Sequence, residues 1–90
     1  MPERVVRILN RAGLHARPAT RLVELTNRYS ASITIEGRDG PIDAKSVMLV
    51  LTLAAVEGTD LRFVAEGPDA AEALDAIEAL VRERFGAEDA

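Results

Sequence analysis

The sequence predicts an α+β fold, a two-layer sandwich with the element order β-α-β-β-α-β-α. Three observations carry that reading. Ser32, Ile33, Thr34, Ile35 and Glu36 alternate strictly between polar and apolar. Residues 60–66 do so again, with Leu61, Phe63 and Ala65 on one side. Such alternation marks strands with one buried and one wet face. Between them, Ala19, Leu22, Val23 and Thr26 recur at helical spacing. A sheet with one apolar face needs its helices on that same face, so all three are expected on one side.

Val5, Val6 and Ile8 form the first strand, and residues 10–13 a loop. The first helix is expected over residues 16–28, with residues 29–31 leaving it. After the first alternating strand, residues 37–41 hold two glycines and a proline and read as a turn. Ile42 and Asp43 then form a brief edge strand. Ser46 is placed to cap a short apolar helix over residues 47–53, in which Val50 and Leu53 are the expected core positions. Glu57-Gly58-Thr59 breaks the chain before the last strand. Gly67-Pro68-Asp69 opens the final helix, with Asp69 as N-cap and Ala73, Leu74, Ile77, Leu80 and Val81 facing inward. Gly86 is expected just past its end, followed by four frayed residues.

At 90 residues the chain is read as one domain, residues 1–90, with no repeat, linker or low-complexity segment. Hydrophobic residues at 48% and charged residues at 29% fit a globular rather than a disordered chain. Cysteine is absent, which excludes disulfides and thiolate chemistry. With a single histidine, a metal cluster is not expected, nor is any cofactor. A net charge of −4 gives no electrostatic reason to bind nucleic acid. No apolar run reaches the roughly 18 residues of a membrane span, so no membrane insertion is expected. The opening Met1-Pro2-Glu3-Arg4 lacks the apolar core of a secretory signal, and the expected location is the cytoplasm. A monomer is expected.

The most informative segment is Gly13-Leu14-His15-Ala16-Arg17-Pro18-Ala19-Thr20. It holds the only histidine, at the mouth of the first helix. Histidine is the side chain that is substantially neutral, and so nucleophilic, near pH 7. A helix N-terminus offers unsatisfied N–H groups and the positive end of its dipole to an anion. Pro18 has no N–H, which leaves those of Ala16 and Arg17 as the anion ligands. The guanidinium of Arg17 adds a planar fork of donors suited to phosphate. Taken alone, His15 would more often be a surface or capping residue and Arg17 a solvated one. Together they place a nucleophile where a phosphoryl group would be held.

These residues resemble the HPr family, the histidine-containing phosphocarriers of the bacterial phosphoenolpyruvate-dependent phosphotransferase system. Beside the octapeptide, the resemblance rests on Ala44-Lys45-Ser46 before a short apolar helix and on Glu57-Gly58-Thr59 before the last strand. It covers nearly the whole chain. It implies a four-stranded antiparallel sheet of order 1-4-2-3 under three helices. His15 would accept a phosphoryl group on Nδ1 from phosphorylated enzyme I, steadied by Arg17 and by the Ala16 N–H. It would pass that group to a histidine of an EIIA-type domain. The chain would then be a stoichiometric carrier, not an enzyme.

Two further places stand out. Ser46 reads as a plain N-cap; in some HPr lineages the matching serine is phosphorylated by an HPr kinase/phosphorylase, so it is also a regulatory candidate. Val47, Met48, Leu49 and Leu51 make the second helix apolar nearly all round, either as core under a loop or as a docking patch. With Thr20, Arg21 and Lys45, the residues Val47, Met48 and Leu51 form the expected partner surface. Some sugar-system members carry lysines at the positions of Glu24, Asn27 and Leu49, and here that basic ring is thin. Together with Ala54-Ala55, this resembles the nitrogen-related NPr branch, and both branches remain open. The rival from another class is a regulatory module that is not phosphorylated and binds through the 47–51 patch.

Overall fold

The computed structural model describes residues 2–37 and 39–86. The elements are β1 (Glu3–Arg7), α1 (Ala16–Thr26), β2 (Ser32–Gly37), β3 (Gly40–Asp43), α2 (Val47–Leu51), β4 (Asp60–Glu66) and α3 (Ala70–Arg82). The strands form one antiparallel sheet in the order β1-β4-β2-β3. The last strand in sequence therefore lies between the first two, and β1 and β3 are the edges.

Alternation decides the layers. Val6 on β1, Ile33 and Ile35 on β2, and Leu61, Phe63 and Ala65 on β4 are buried on one face. Against them pack Leu22 and Val23 of α1, Val50 of α2, and Leu74, Ile77 and Val81 of α3. The other face carries charge: Arg62 of β4 is ion-paired with Glu3 of β1 and, at 3.1 Å, with Glu36 of β2. Arg7 is paired with Asp60, directly opposite it across the β1–β4 ladder, at 2.9 Å. That hydrogen bond holds the Asp60 carboxyl below the usual carboxylate range.

Each helix differs from its expected form at one end. α1 stops at Thr26, where the Thr26 hydroxyl and the Asn27 amide each bond back to the Val23 carbonyl and also reach outward. Thr26 is fully buried, with its Oγ1 2.9 Å from the carbonyl of Ala44, while Asn27 Nδ2 donates to the Lys45 carbonyl at 3.2 Å. These bonds fix the entry to α2 against the end of α1. α2 is shorter than expected and ends at Leu51; Leu53 N–H still donates to the Val50 carbonyl in the turn that follows.

Asp69 occupies the N-cap position of α3, yet its side chain makes no cap bond. Its carboxylate reaches across to accept from the Ser30 N–H at 2.9 Å, the Ala31 N–H at 2.9 Å and the Ser30 hydroxyl at 3.2 Å. It ties the start of α3 to the start of β2. α3 closes at Arg82, before a 3₁₀ turn over Arg84–Gly86. There Arg84 and Phe85 adopt left-handed φ values of 54° and 60°, and the Phe85 ring is fully buried. Burial of the ring offsets the backbone strain. Leu80 is only half-buried at the rim of this core. The expected fraying concerns residues 87–90, which lie outside the described residues.

Candidate functional site

The loop before α1 is held from two sides. Asn10 is buried, and its Nδ2 donates to the Gly13 carbonyl at 2.6 Å while its own carbonyl accepts from the Gly13 N–H at 3.1 Å. Leu14 is buried and donates its N–H to the Ala55 carbonyl at 2.8 Å. Gly13 has φ +77°, and a Cβ there would stand 2.5 Å from the Ala55 oxygen and 2.9 Å from the Val56 Cα. Only glycine satisfies both the angle and the approach. The facing segment is itself constrained, with Ala54 at φ +48°.

This clamp delivers His15 to the N-cap of α1 with an extended backbone, φ −100° and ψ −163°. Its carbonyl accepts from the Ala19 N–H at 2.9 Å, while its imidazole makes no capping bond and is exposed. The ring is therefore held by its backbone and left free to react. Pro18 is buried at the third helical position and contributes no N–H. The N–H groups of Ala16 and Arg17 have no partner among the described residues and sit at the positive end of the helix.

The Arg17 guanidinium is exposed and enters no ion pair among the described residues. An open depression beside it is lined by Ala16, Arg17, Thr20, Arg21 and Glu24. Thr20 turns its hydroxyl back to the Ala16 carbonyl at 2.8 Å. Arg21 lies against Gly86, where a Cβ would come within 3.1 Å of a guanidinium nitrogen. Chemically, this is an exposed imidazole beside two unpaired backbone donors and the Arg17 guanidinium. Among the described residues there is no group of three His, Asp or Glu side chains that could hold a metal ion, and no helix long and apolar enough to cross a membrane.

The family model described as "PTS HPr component phosphorylation site" matches residues 2–83. A phosphocarrier protein HPr of Treponema pallidum is 44% identical over 85 residues, spanning 94% of this chain and 97% of that one. The chain belongs to the HPr family. HPr-C-His from Thermoanaerobacter tengcongensis superposes with a TM-score of 0.90 at 36% identity, covering 98% of this chain and 99% of that one. A multiphosphoryl transfer protein of Haemophilus influenzae is 41% identical over 87 residues, which are 93% of this chain but 17% of that longer protein. The expected sheet order, 1-4-2-3 under three helices, is the HPr architecture seen here.

The second half of the expected HPr surface is α2. Ser46 caps it, its Oγ accepting from the Leu49 N–H at 3.2 Å. Met48 is 79% exposed, with Leu49 at 41% and Leu51 at 38%, so the surplus apolar face opens to solvent. Val47 is different: it is half-buried and packs on the core, as Leu53 does, while Val50 is fully buried. Lys45 is also less free than its sequence position suggests. Its ammonium donates to the Tyr29 carbonyl at 2.7 Å, bracing the end of α1.

Two contributors lie outside the residues that the sequence singles out. Asn10 falls in the expected loop over residues 10–13, and an Asn three residues before a Gly is a turn signal that marks it. Ala55 acts only through its backbone carbonyl, so no side-chain pattern announces it.

Proposed function

We propose that this chain is a phosphocarrier that takes a phosphoryl group onto His15 Nδ1 from phosphorylated enzyme I. It delivers that group to a histidine of an EIIA-type domain. In the first step the Nδ1 lone pair attacks phosphorus, with the ring proton on Nε2. The new N–P bond forms as the donor's N–P bond breaks, and the donor imidazole recovers the electron pair. The second step is the same exchange with His15 as donor. Such transfers need little covalent chemistry beyond position and charge. The free N–H groups of Ala16 and Arg17 and the Arg17 guanidinium receive the phosphoryl oxygens.

The observation that carries this reading is the uncapped imidazole at the N-cap of α1, fixed through its backbone and facing solvent beside those donors. Openness suits a carrier, since each partner in turn completes the surroundings of phosphorus. The reading makes the protein a stoichiometric carrier working in the cytoplasm, with the depression along Thr20 and Arg21 and the exposed tip of α2 as the docking surface. Ser46 is the candidate site for regulatory phosphorylation. Phosphate there would replace the neutral Oγ cap with about two negative charges next to the docking patch.

The test is a relay. Enzyme I, labelled phosphoenolpyruvate, this chain and an EIIA-type domain are mixed, and label is followed onto each protein. The expected result is label on this chain first and on the acceptor afterwards, with none reaching the acceptor when this chain is omitted. Label that never leaves enzyme I would refute the assignment.

A further inference from the structure

A cleft of about 350 Å³ lies between the β2–β3 hairpin and the chain that leaves α2. Ile42 of β3 lines one side and Leu53 the other. Gly37, at the end of β2, lies between them. A Cβ on Gly37 would stand 3.4 Å from Leu53 Cδ2 and 3.7 Å from Ile42 Cγ2. Gly37 is not among the glycines with left-handed φ, so its backbone angle does not call for glycine. What calls for it is space. A glycine in a strand marks a place where another group comes close. The Gly40 oxygen, 3.0 Å from where that Cβ would stand, is one such group. The rest of the space, beside Leu53 and Ile42, stays open.

Two polar side chains line the cleft, Asp39 and Thr52, and both can only accept. The Asp39 carboxylate is exposed and enters no hydrogen bond or ion pair among the described residues. Thr52 commits its hydroxyl proton to the Leu49 carbonyl, which leaves its oxygen with lone pairs alone. No cationic side chain lines the cleft among the described residues. An occupant must therefore bring the donors, the positive charge and a short apolar body.

The geometry points to a binding site here for a small aliphatic primary ammonium ion. The ammonium donates to the Asp39 carboxylate and the Thr52 oxygen, a charge-assisted contact at the mouth of the cleft. Its alkyl chain lies along Leu53 and Ile42, while the outer side of the charged head stays in water. The volume is at the lower end of ligand sites, roughly 300–1,000 Å³, and suits a chain of about four carbons. An anion would meet the carboxylate with like charge, and a neutral hydrocarbon would leave both acceptors without a donor. The site is separate from the imidazole and does not depend on the phosphoryl chemistry. It is nonetheless close to the segment that positions His15. Ala54 lines the cleft at φ +48° and leads directly into Ala55, whose carbonyl accepts from the Leu14 N–H.

Titration of the isotope-labelled full chain with n-butylammonium chloride, at constant ionic strength and followed by amide NMR, provides the test. Saturable shifts are expected at Gly37, Gly40, Thr52 and Ala54, with a Kd on the order of millimolar. Ethylammonium should bind about tenfold more weakly, because two methylenes leave the apolar walls and each is worth roughly fourfold. n-Butanol, which keeps the chain and lacks the charge, should also bind about tenfold more weakly, and butyrate should not bind. Asp39→Asn should weaken n-butylammonium about tenfold while the remaining amide spectrum stays that of the folded parent, since Asp39 is exposed. Shifts that never saturate, or that saturate only at other residues, would overturn the proposal. So would ethylammonium binding as well as n-butylammonium, which is plain counterion exchange at a carboxylate, or an Asp39→Asn variant that binds like the parent.

Discussion

Gly13 and Ala55 meet backbone to backbone, so closely that a Cβ on Gly13 would lie 2.5 Å from the Ala55 oxygen. The backbone that carries His15 is therefore positioned from a loop some 40 residues away in sequence, through a contact that involves no side chain.

Gly13→Ala should accordingly be costly. It adds strain at φ +77° to a clash with immovable backbone, a loss of about 1–3 kcal/mol in urea unfolding. Phosphotransfer should fall beyond what the unfolded fraction explains, because the His15 backbone moves. Unchanged transfer in the folded variant would show that the clamp does not position the ring.

Arg17→Ala should separate chemistry from stability. The guanidinium is exposed and has no ion-pair partner among the described residues, so unfolding free energy should change by less than about 0.5 kcal/mol. Transfer to and from His15 should slow on the order of tenfold to a hundredfold. A large stability loss with normal transfer would make Arg17 structural.

Asp69 gives the fold an acid limb. Its bond from the Ser30 N–H, and then that from Ala31, hold its carboxyl below the usual 3.8 despite an opposing effect of desolvation. A carboxyl with a lowered folded pKa binds fewer protons in the native state. Its stabilisation is therefore complete above the unfolded value and is lost as pH falls through the folded one. Asp69→Asn should be less stable than the parent near neutrality, and the difference should close below about pH 4. Thermal melts across that range test it; a difference independent of pH would remove the carboxylate from the account.

Met48→Asp should weaken association with enzyme I about tenfold while leaving the melting temperature unchanged, since the side chain touches solvent and not the core. Ser46→Asp should act in the same direction. Titration calorimetry in which both variants bind like the parent would move the docking surface elsewhere.

Most of this architecture is legible in the sequence because the core alternates. Ile33, Ile35, Leu61, Phe63 and Ala65 announce both the strands and the single covered face. Ser46 is legible because a helix start constrains residue type locally, and His15 and Arg17 stand out because neither suits a helix start on its own account. What stays hidden acts at a distance. Asp69 stands where a cap belongs, but its bonds go to Ser30 and Ala31, a choice fixed only once the two elements meet. Phe85 follows the end of a helix in a left-handed conformation that local preference disfavours, and its burial in the core outweighs that cost. Val47 belongs to an apolar run that no periodicity divides into inner and outer members; packing against the core decides that it is half-buried while Met48 is not.

The central claim is that His15 carries the phosphoryl group. Its most direct test is to load the protein with enzyme I and labelled phosphoenolpyruvate, then locate the label by its acid lability and by peptide mass. One phosphoryl group per chain is predicted, acid-labile, on the peptide containing His15 and absent from a folded His15→Ala variant. Comparable labelling of that variant, or acid-stable label on another residue, would contradict it.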